Sequence, residues 1–319
     1  MSENPFLELI FIANVVLPVF LLVFIGILLR VINVINDNFV KVSSDFVFKV
    51  SLPALIFFKL YDVDLERTFD IKMILIIIFG TVVTYYIAKF IAYRMKLKPD
   101  DEGVFIQGAF RGNYAIVGLA IILRMFGPDA VAKASFYLLF ALPLYNFLGV
   151  WVLTLAQNKN TKIDFWRIAK DILLNPLVLS VIVAIPFSLV KFRFPDSIET
   201  TGNYLAAIAL PLALLGIGGS INVKSIKEAS GLAFGSVLIK NIISPIIALV
   251  AAYFLGIRGV DLGLIFVIFA CPTAIASFIM AAAMKGNIRL AGNIVIISTL
   301  SSLVTMTLGL FILKALELL

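Results

Sequence analysis

The chain has 319 residues, of which 62% are hydrophobic and only 14% charged, and its mean hydropathy is +1.09. A soluble protein carries about 25% charged residues, so the composition points to a membrane protein. The absence of histidine excludes His-ligated metal or haem, Ser-His-Asp catalysis and histidine proton relays, and a lone cysteine, Cys271, excludes an intrachain disulfide framework.

The net charge of +7 reads as loops positioned against a membrane, and no nucleic-acid partner is expected. Met1 to Glu8 holds two Glu and no Lys or Arg. That segment lacks the basic start of a signal peptide, so the first apolar stretch is expected in the mature protein.

A membrane-spanning helix needs about 20 mostly apolar residues. The pattern predicts ten, at roughly 8–30, 38–60, 71–93, 103–125, 132–156, 170–191, 198–220, 230–254, 261–284 and 288–314. The connections are short and polar, and the longest, Gln157 to Trp166, separates a first half (1–157) from a second (166–319). The fold class is therefore an all-α integral membrane protein. One side holds thirteen basic residues: Arg30, Lys41, Arg94, Lys96, Lys98, Lys159, Lys162, Arg167, Lys170, Lys224, Lys227, Lys285 and Arg289; the other holds nine at most. The positive-inside rule then puts both termini outside the cytoplasm.

The fourth and ninth stretches are interrupted near their middles, at Arg111-Gly112-Asn113-Tyr114 and Ala270-Cys271-Pro272-Thr273. Gly is a poor helix former, and Pro lacks the backbone donor and clashes with the preceding turn. Within lipid such faults persist only where they are buried in protein or line a cavity. Asn113 and Pro272 are 159 positions apart, Gly127 and Gly286 are also 159 apart, and Pro53 and Pro211 are 158 apart. Five spans per repeat is an odd number, so the second half is expected to enter the membrane inverted. The two broken helices would then cross at the midplane. Paired broken helices in corresponding halves point to a transporter's binding site.

The breaks carry the candidate chemistry. New helix starts near Tyr114 and Thr273 can hold an anion, and new helix ends near Phe110 and Ala270 offer carbonyls to a cation. Arg111, Gly112, Asn113, Tyr114, Cys271, Pro272 and Thr273 are the candidate substrate-binding residues, with Asn146 of the fifth span and Pro53 of the second. Arg111 is costly, since a charge near a helix centre costs roughly 2.5–3.5 kcal/mol on insertion scales. It reads equally as a substrate-facing guanidinium or as a structural partner. Asp45 with Lys49 four residues later, and Lys240, are candidate coupling-ion groups, although Asp45 and Lys49 also read as a neutralising pair. No metal site, cofactor or nucleotide-binding motif is expected, and any coupling would be to proton or sodium.

Together these residues resemble the auxin efflux carrier family, which includes bacterial malate-permease-like members and the plant auxin exporters. The matching features are Ser51-Leu52-Pro53-Ala54-Leu55-Ile56-Phe57, Phe110-Arg111-Gly112-Asn113-Tyr114 with Gly118, Leu144-Tyr145-Asn146, Asn175-Pro176, Pro211 with Gly216, and Pro272. The resemblance implies two inverted five-helix repeats, as in the sodium/bile-acid symporter fold. It also implies a scaffold of spans 1, 2, 6 and 7, a transport domain of spans 3–5 and 8–10, an elevator-like cycle and a homodimer. A small organic anion would be carried across the bacterial inner membrane. Plant members have Asn-Pro at both crossovers; this chain has Gly112-Asn113-Tyr114 and Cys271-Pro272-Thr273, so auxin is not the expected substrate.

A secondary carrier is therefore the expected function. A channel or uniporter for small anions is the alternative. A membrane-embedded enzyme is less favoured, because no nucleophile-plus-base constellation or carboxylate pair is present.

Overall fold

The computed structural model describes residues 5–63, 69–156, 165–221 and 231–319. They form helix throughout, and the only β-type pairing among them is one isolated bridge. The helices are α1 Pro5–Val31, α2 Asp37–Phe46, α3 Leu52–Leu60, α4 Ile71–Arg94, α5 Pro99–Phe110, α6 Leu119–Ala156 and α7 Phe165–Leu173. The chain continues through α8 Pro176–Leu189, α9 Asp196–Ser220, α10 Gly231–Leu238, α11 Ser244–Phe254, α12 Gly259–Ala270, α13 Ile275–Ala283 and α14 Ile288–Ala315. Helix thus falls on each of the ten apolar stretches. The Gln157–Trp166 connection lies largely outside the described residues, as do Lys159, Lys162, Lys224 and Lys227 of the charge count.

Among the described residues, six helical segments are long and apolar enough to cross a membrane: Phe6–Val31, Ile71–Arg94, Tyr114–Ala156, Asp196–Ser220, Gly231–Phe254 and Ile288–Ala315. At a 1.5 Å rise, 24 residues such as α4 span ~36 Å, more than the ~30 Å hydrocarbon core. Large apolar side chains stand on the outside, among them Phe79, Phe90, Ile246 and Phe254. An apolar exterior of this kind is what a lipid solvent accepts.

Local chemistry sets the element boundaries. Asn36, Asp70, Asn175 and Asn287 each accept a backbone N–H from the first turn of the helix they precede. Pro99 and Pro176 occupy first helical positions, where their missing N–H costs nothing. Within longer helical runs, Pro53 and Pro245 each follow a π-helical turn, Val47–Ser51 and Ile239–Ile243. A proline ring clashes with the carbonyl four residues back, here Lys49 and Asn241, and the wider turn accommodates it. Gly127, at φ 83 and ψ −175, breaks α6 before Pro128, leaving a short arm and a long one.

Boundaries recur along the chain. α4 and the Gly231–Phe254 segment start and end 160 residues apart, and so do α5 and α12. Left-handed residues that close helices recur at similar spacing: Asn33 and Lys191 are 158 apart, and Lys96 and Gly256 are 160 apart. The glycine landmark is different in detail. Gly127 itself takes positive φ, whereas in the second half Lys285 does so, and Gly286 donates back to Ala281 at 2.8 Å in a Schellman closure. Thr84 Oγ1 lies 3.1 Å from Ser244 Oγ, so two residues 160 positions apart touch. Elsewhere α1 and α9 approach closely: a Cβ on Gly218 would lie 2.0 Å from the Val23 carbonyl oxygen.

Candidate functional site

The two breaks meet. Gly112 and Thr273 form the antiparallel bridge, with the Asn113 N–H donating to the Pro272 carbonyl at 2.7 Å and the Ala274 N–H to the Arg111 carbonyl at 3.0 Å. The local cause lies in the sequence. Cys271 precedes proline and is pushed to extended backbone (φ −61, ψ 149), and Arg111 is likewise extended (φ −84, ψ 98). Gly112 is needed here because the strands pass so closely. A Cβ there would sit 2.8 Å from Cys271 Sγ and 3.1 Å from Lys240 Nζ.

The helix ends on the two sides of the crossing are treated differently. Several carbonyls near the ends of α5 and α12 take internal donors. Thr273 Oγ1 donates to the Gly108 carbonyl at 2.8 Å, Cys271 Sγ to Ile268 at 3.0 Å, and Ser236 Oγ to Phe105 at 2.9 Å. Lys240, fully buried, donates to the Phe269 carbonyl at 2.6 Å. Its Nζ sits at the partially negative end of α12, a position that favours a cation. By contrast, no acceptor among the described residues meets the N–H groups of Ala115, Ile116, Ile275 or Ala276, at the two helix starts. Ala115, Ile116 and Ile275 are also partly accessible, and Ala276 is exposed, next to a buried crossing.

Arg111 lies beside these starts, 7% exposed. Its Nη2 donates to Asn146 Oδ1 at 2.7 Å, and Nη1 approaches Met280 Sδ at 3.5 Å, as Gln107 Nε2 does at 2.9 Å. Both partners of the guanidinium are neutral, and no carboxylate pairs with it among the described residues. Asn113 is 8% exposed, and its amide side chain makes no hydrogen bond to the described residues. Ser298 supports the crossing from α14: its Oγ accepts from the Thr273 N–H at 3.0 Å, and its carbonyl takes Asn241 Nδ2 at 2.9 Å.

The expected residues therefore divide. Arg111, Gly112, Asn113, Asn146, Cys271, Pro272, Thr273 and Lys240 come together. Tyr114 is also there, but its hydroxyl donates to the Ala134 carbonyl and braces the long arm of α6. Pro53 is elsewhere, in a surface groove with Lys49, Phe57 and Pro176. Asp45 and Lys49 pair at 3.0 Å on an exposed face, with side chains 61% and 63% exposed, apart from the crossover. Sequence reasoning missed Gln107, Ser298 and Met280. Gln107, one helical turn before Arg111, was the one with a usable signal.

Buried broken helices that cross, inside a bundle of membrane-length apolar helices, define a multi-pass membrane protein of the transport class. A family model described as membrane transport protein matches residues 11–310. The chain belongs to that family, the auxin efflux carrier group, and it is a transporter rather than an enzyme. It is 24% identical to an uncharacterized transporter of Methanocaldococcus jannaschii over 92% of this chain and 96% of that one. It is 25% identical to one of Methanothermobacter thermautotrophicus over 92% and 95%. A Rhizobium meliloti protein named "Putative malonate transporter" is 22% identical over 95% of this chain and 96% of its own length.

Proposed function

We propose that the protein is a secondary carrier of small organic anions, binding the carboxylate at the crossover between Arg111, Asn113 and the helix starts at Ala115–Ile116 and Ile275–Ala276. One observation carries this: the Gly108, Ile268 and Phe269 carbonyls near the helix ends take internal donors, whereas the N–H groups at the two helix starts meet no acceptor among the described residues and the Arg111 guanidinium has only neutral partners. Such a site favours negative charge. The name of the Rhizobium meliloti relative supports the same substrate class.

The recurrence of boundaries at 158–160 residues supports ten spans in two inverted five-helix repeats, halves 1–157 and 166–319. In this reading spans 3–5 and 8–10 move against spans 1, 2, 6 and 7, exposing the crossover to each side in turn. The protein works as a homodimer in the cell membrane with both termini outside the cytoplasm. Lys240 acts as a built-in cation, so transport needs no sodium.

A thermal-unfolding screen of purified protein against organic acids, with and without sodium, tests the site. A ligand at 100 times its dissociation constant adds about 2.7 kcal/mol. Stabilisation by carboxylates in sodium-free buffer is expected; stabilisation by cationic or neutral compounds alone would overturn the anion site.

A further inference from the structure

A cavity of about 440 Å³ lies between α1, α3, the short arm of α6 and α9, outside the crossover itself. That volume is in the range of small-molecule sites, roughly 300–1,000 Å³. Its walls are apolar, with Leu22 and Leu214 among them, and its polar side chains are Lys59 from α3, Arg124 from α6 and Asn203 from α9. No carboxylate lines it among the described residues. Arg124 is held in place by two neutral acceptors, Nε on the Val15 carbonyl and Nη2 on the Asn14 carbonyl, both at 3.2 Å. Those bonds orient the guanidinium without neutralising it, and Nη1 keeps its donors. Neither Arg124 nor Lys59 is in an ion pair among the described residues.

Position links this cavity to the crossover. Ala120, Leu123 and Arg124 all line it, at helical spacings of three and four that place them on one face of the arm that starts at the break. Ala120 is only six residues beyond Tyr114, ~9 Å along the arm. Arg124, ten residues beyond Tyr114, lies ~15 Å along the same arm, and Ala120 continues the lining toward the helix starts.

We propose that this cavity is a receiving site for a small dicarboxylate, with Lys59 and Arg124 each taking one carboxylate and Asn203 donating from the third wall. Two cations on separate helices distinguish a dianion from a monoanion, because only the dianion engages both. The proposal rests on the organic-anion reading above and names the substrate class.

The test is uptake of radiolabelled malonate and acetate by the full-length protein in liposomes, with inorganic phosphate as competitor. Lys59→Gln and Arg124→Gln should each raise KM for malonate by about tenfold or more, with maximal rates within about twofold and acetate uptake little changed. Phosphate should compete poorly. Unchanged KM in both variants, equal losses for malonate and acetate, or phosphate competing as well as malonate would each overturn the dicarboxylate site. Wild-type protein that moves acetate but not malonate would remove this cavity's role and leave the organic-anion reading standing. Wild-type protein that moves neither, nor succinate, would sink both. Arg124 also ties α6 to α1, so if Arg124→Gln loses its thermal transition, Lys59→Gln and Arg124→Lys decide the question. The lysine variant keeps the charge and should retain most malonate affinity.

Discussion

Lys240 Nζ donates to the carbonyl oxygen of Phe269 at 2.6 Å, a fixed donor at the end of a half-helix inside the protein. A mobile metal cation bound there would have to displace it. Malonate uptake into liposomes should therefore run at the same rate, within about twofold, in sodium, potassium or choline buffer. Lys240→Met should cut uptake by at least about tenfold, since an unpaired buried carbonyl costs about 1–3 kcal/mol and the crossover loses a positive charge. A steep sodium requirement in the wild type would remove this role from Lys240.

Arg111 depends on Asn146 for its strongest hydrogen bond, at 2.7 Å. Asn146→Ala should lower stability by about 1.5–3 kcal/mol, the worth of a hydrogen bond to a charged group, measured by thermal unfolding in detergent. Asn146→Asp makes the sharper contrast. The new carboxylate would pair with Arg111 and preserve stability, but it would fill the proposed anion site. Stabilisation by malonate should then vanish.

Asn113 and Thr273 should behave oppositely. The Asn113 amide has no partner among the described residues, so Asn113→Ala should change stability by no more than about 0.5 kcal/mol while lowering malonate binding. Thr273→Ala removes the bond to the Gly108 carbonyl and should cost about 1–3 kcal/mol. Paired thermal-unfolding and binding curves separate the two effects.

Gly112→Ala places a methyl 2.8 Å from Cys271 Sγ and 3.3 Å from the Ile268 carbonyl oxygen. The crossing would have to open, at a cost of typically 1–3 kcal/mol. Lower thermal stability together with lost transport is the expected pair of results. Cys271→Ala in the same chain makes room and should restore part of both.

Much of this was legible in the sequence, and the reason is physical. Gly112 and Pro272 break helices wherever they occur, and a long apolar run says where lipid is, so the two faults were visible and so was their 159-residue spacing. The direction of side chains was not. Asp45 and Lys49 sit at i,i+4 whether they face cavity or surface, and the structure puts them on an exposed face. Asp45→Asn should accordingly leave the rate and pH dependence of uptake unchanged. Nor could spacing show that Tyr114 turns away to Ala134, or that Lys59 and Arg124, which look like span-end residues, border one cavity. Those facts depend on which helices pack together, and tertiary packing is not written at helical period.

Counterflow tests the carrier most directly. Liposomes holding the protein, preloaded with unlabelled malonate and diluted into a trace of labelled malonate, should transiently accumulate label above the outside concentration and then lose it. Exchange through an alternating crossover site requires that overshoot. Label that only equilibrates without overshoot would mean an open pore, and no entry with malonate, succinate or acetate would contradict an organic-anion site at Arg111 and Asn113.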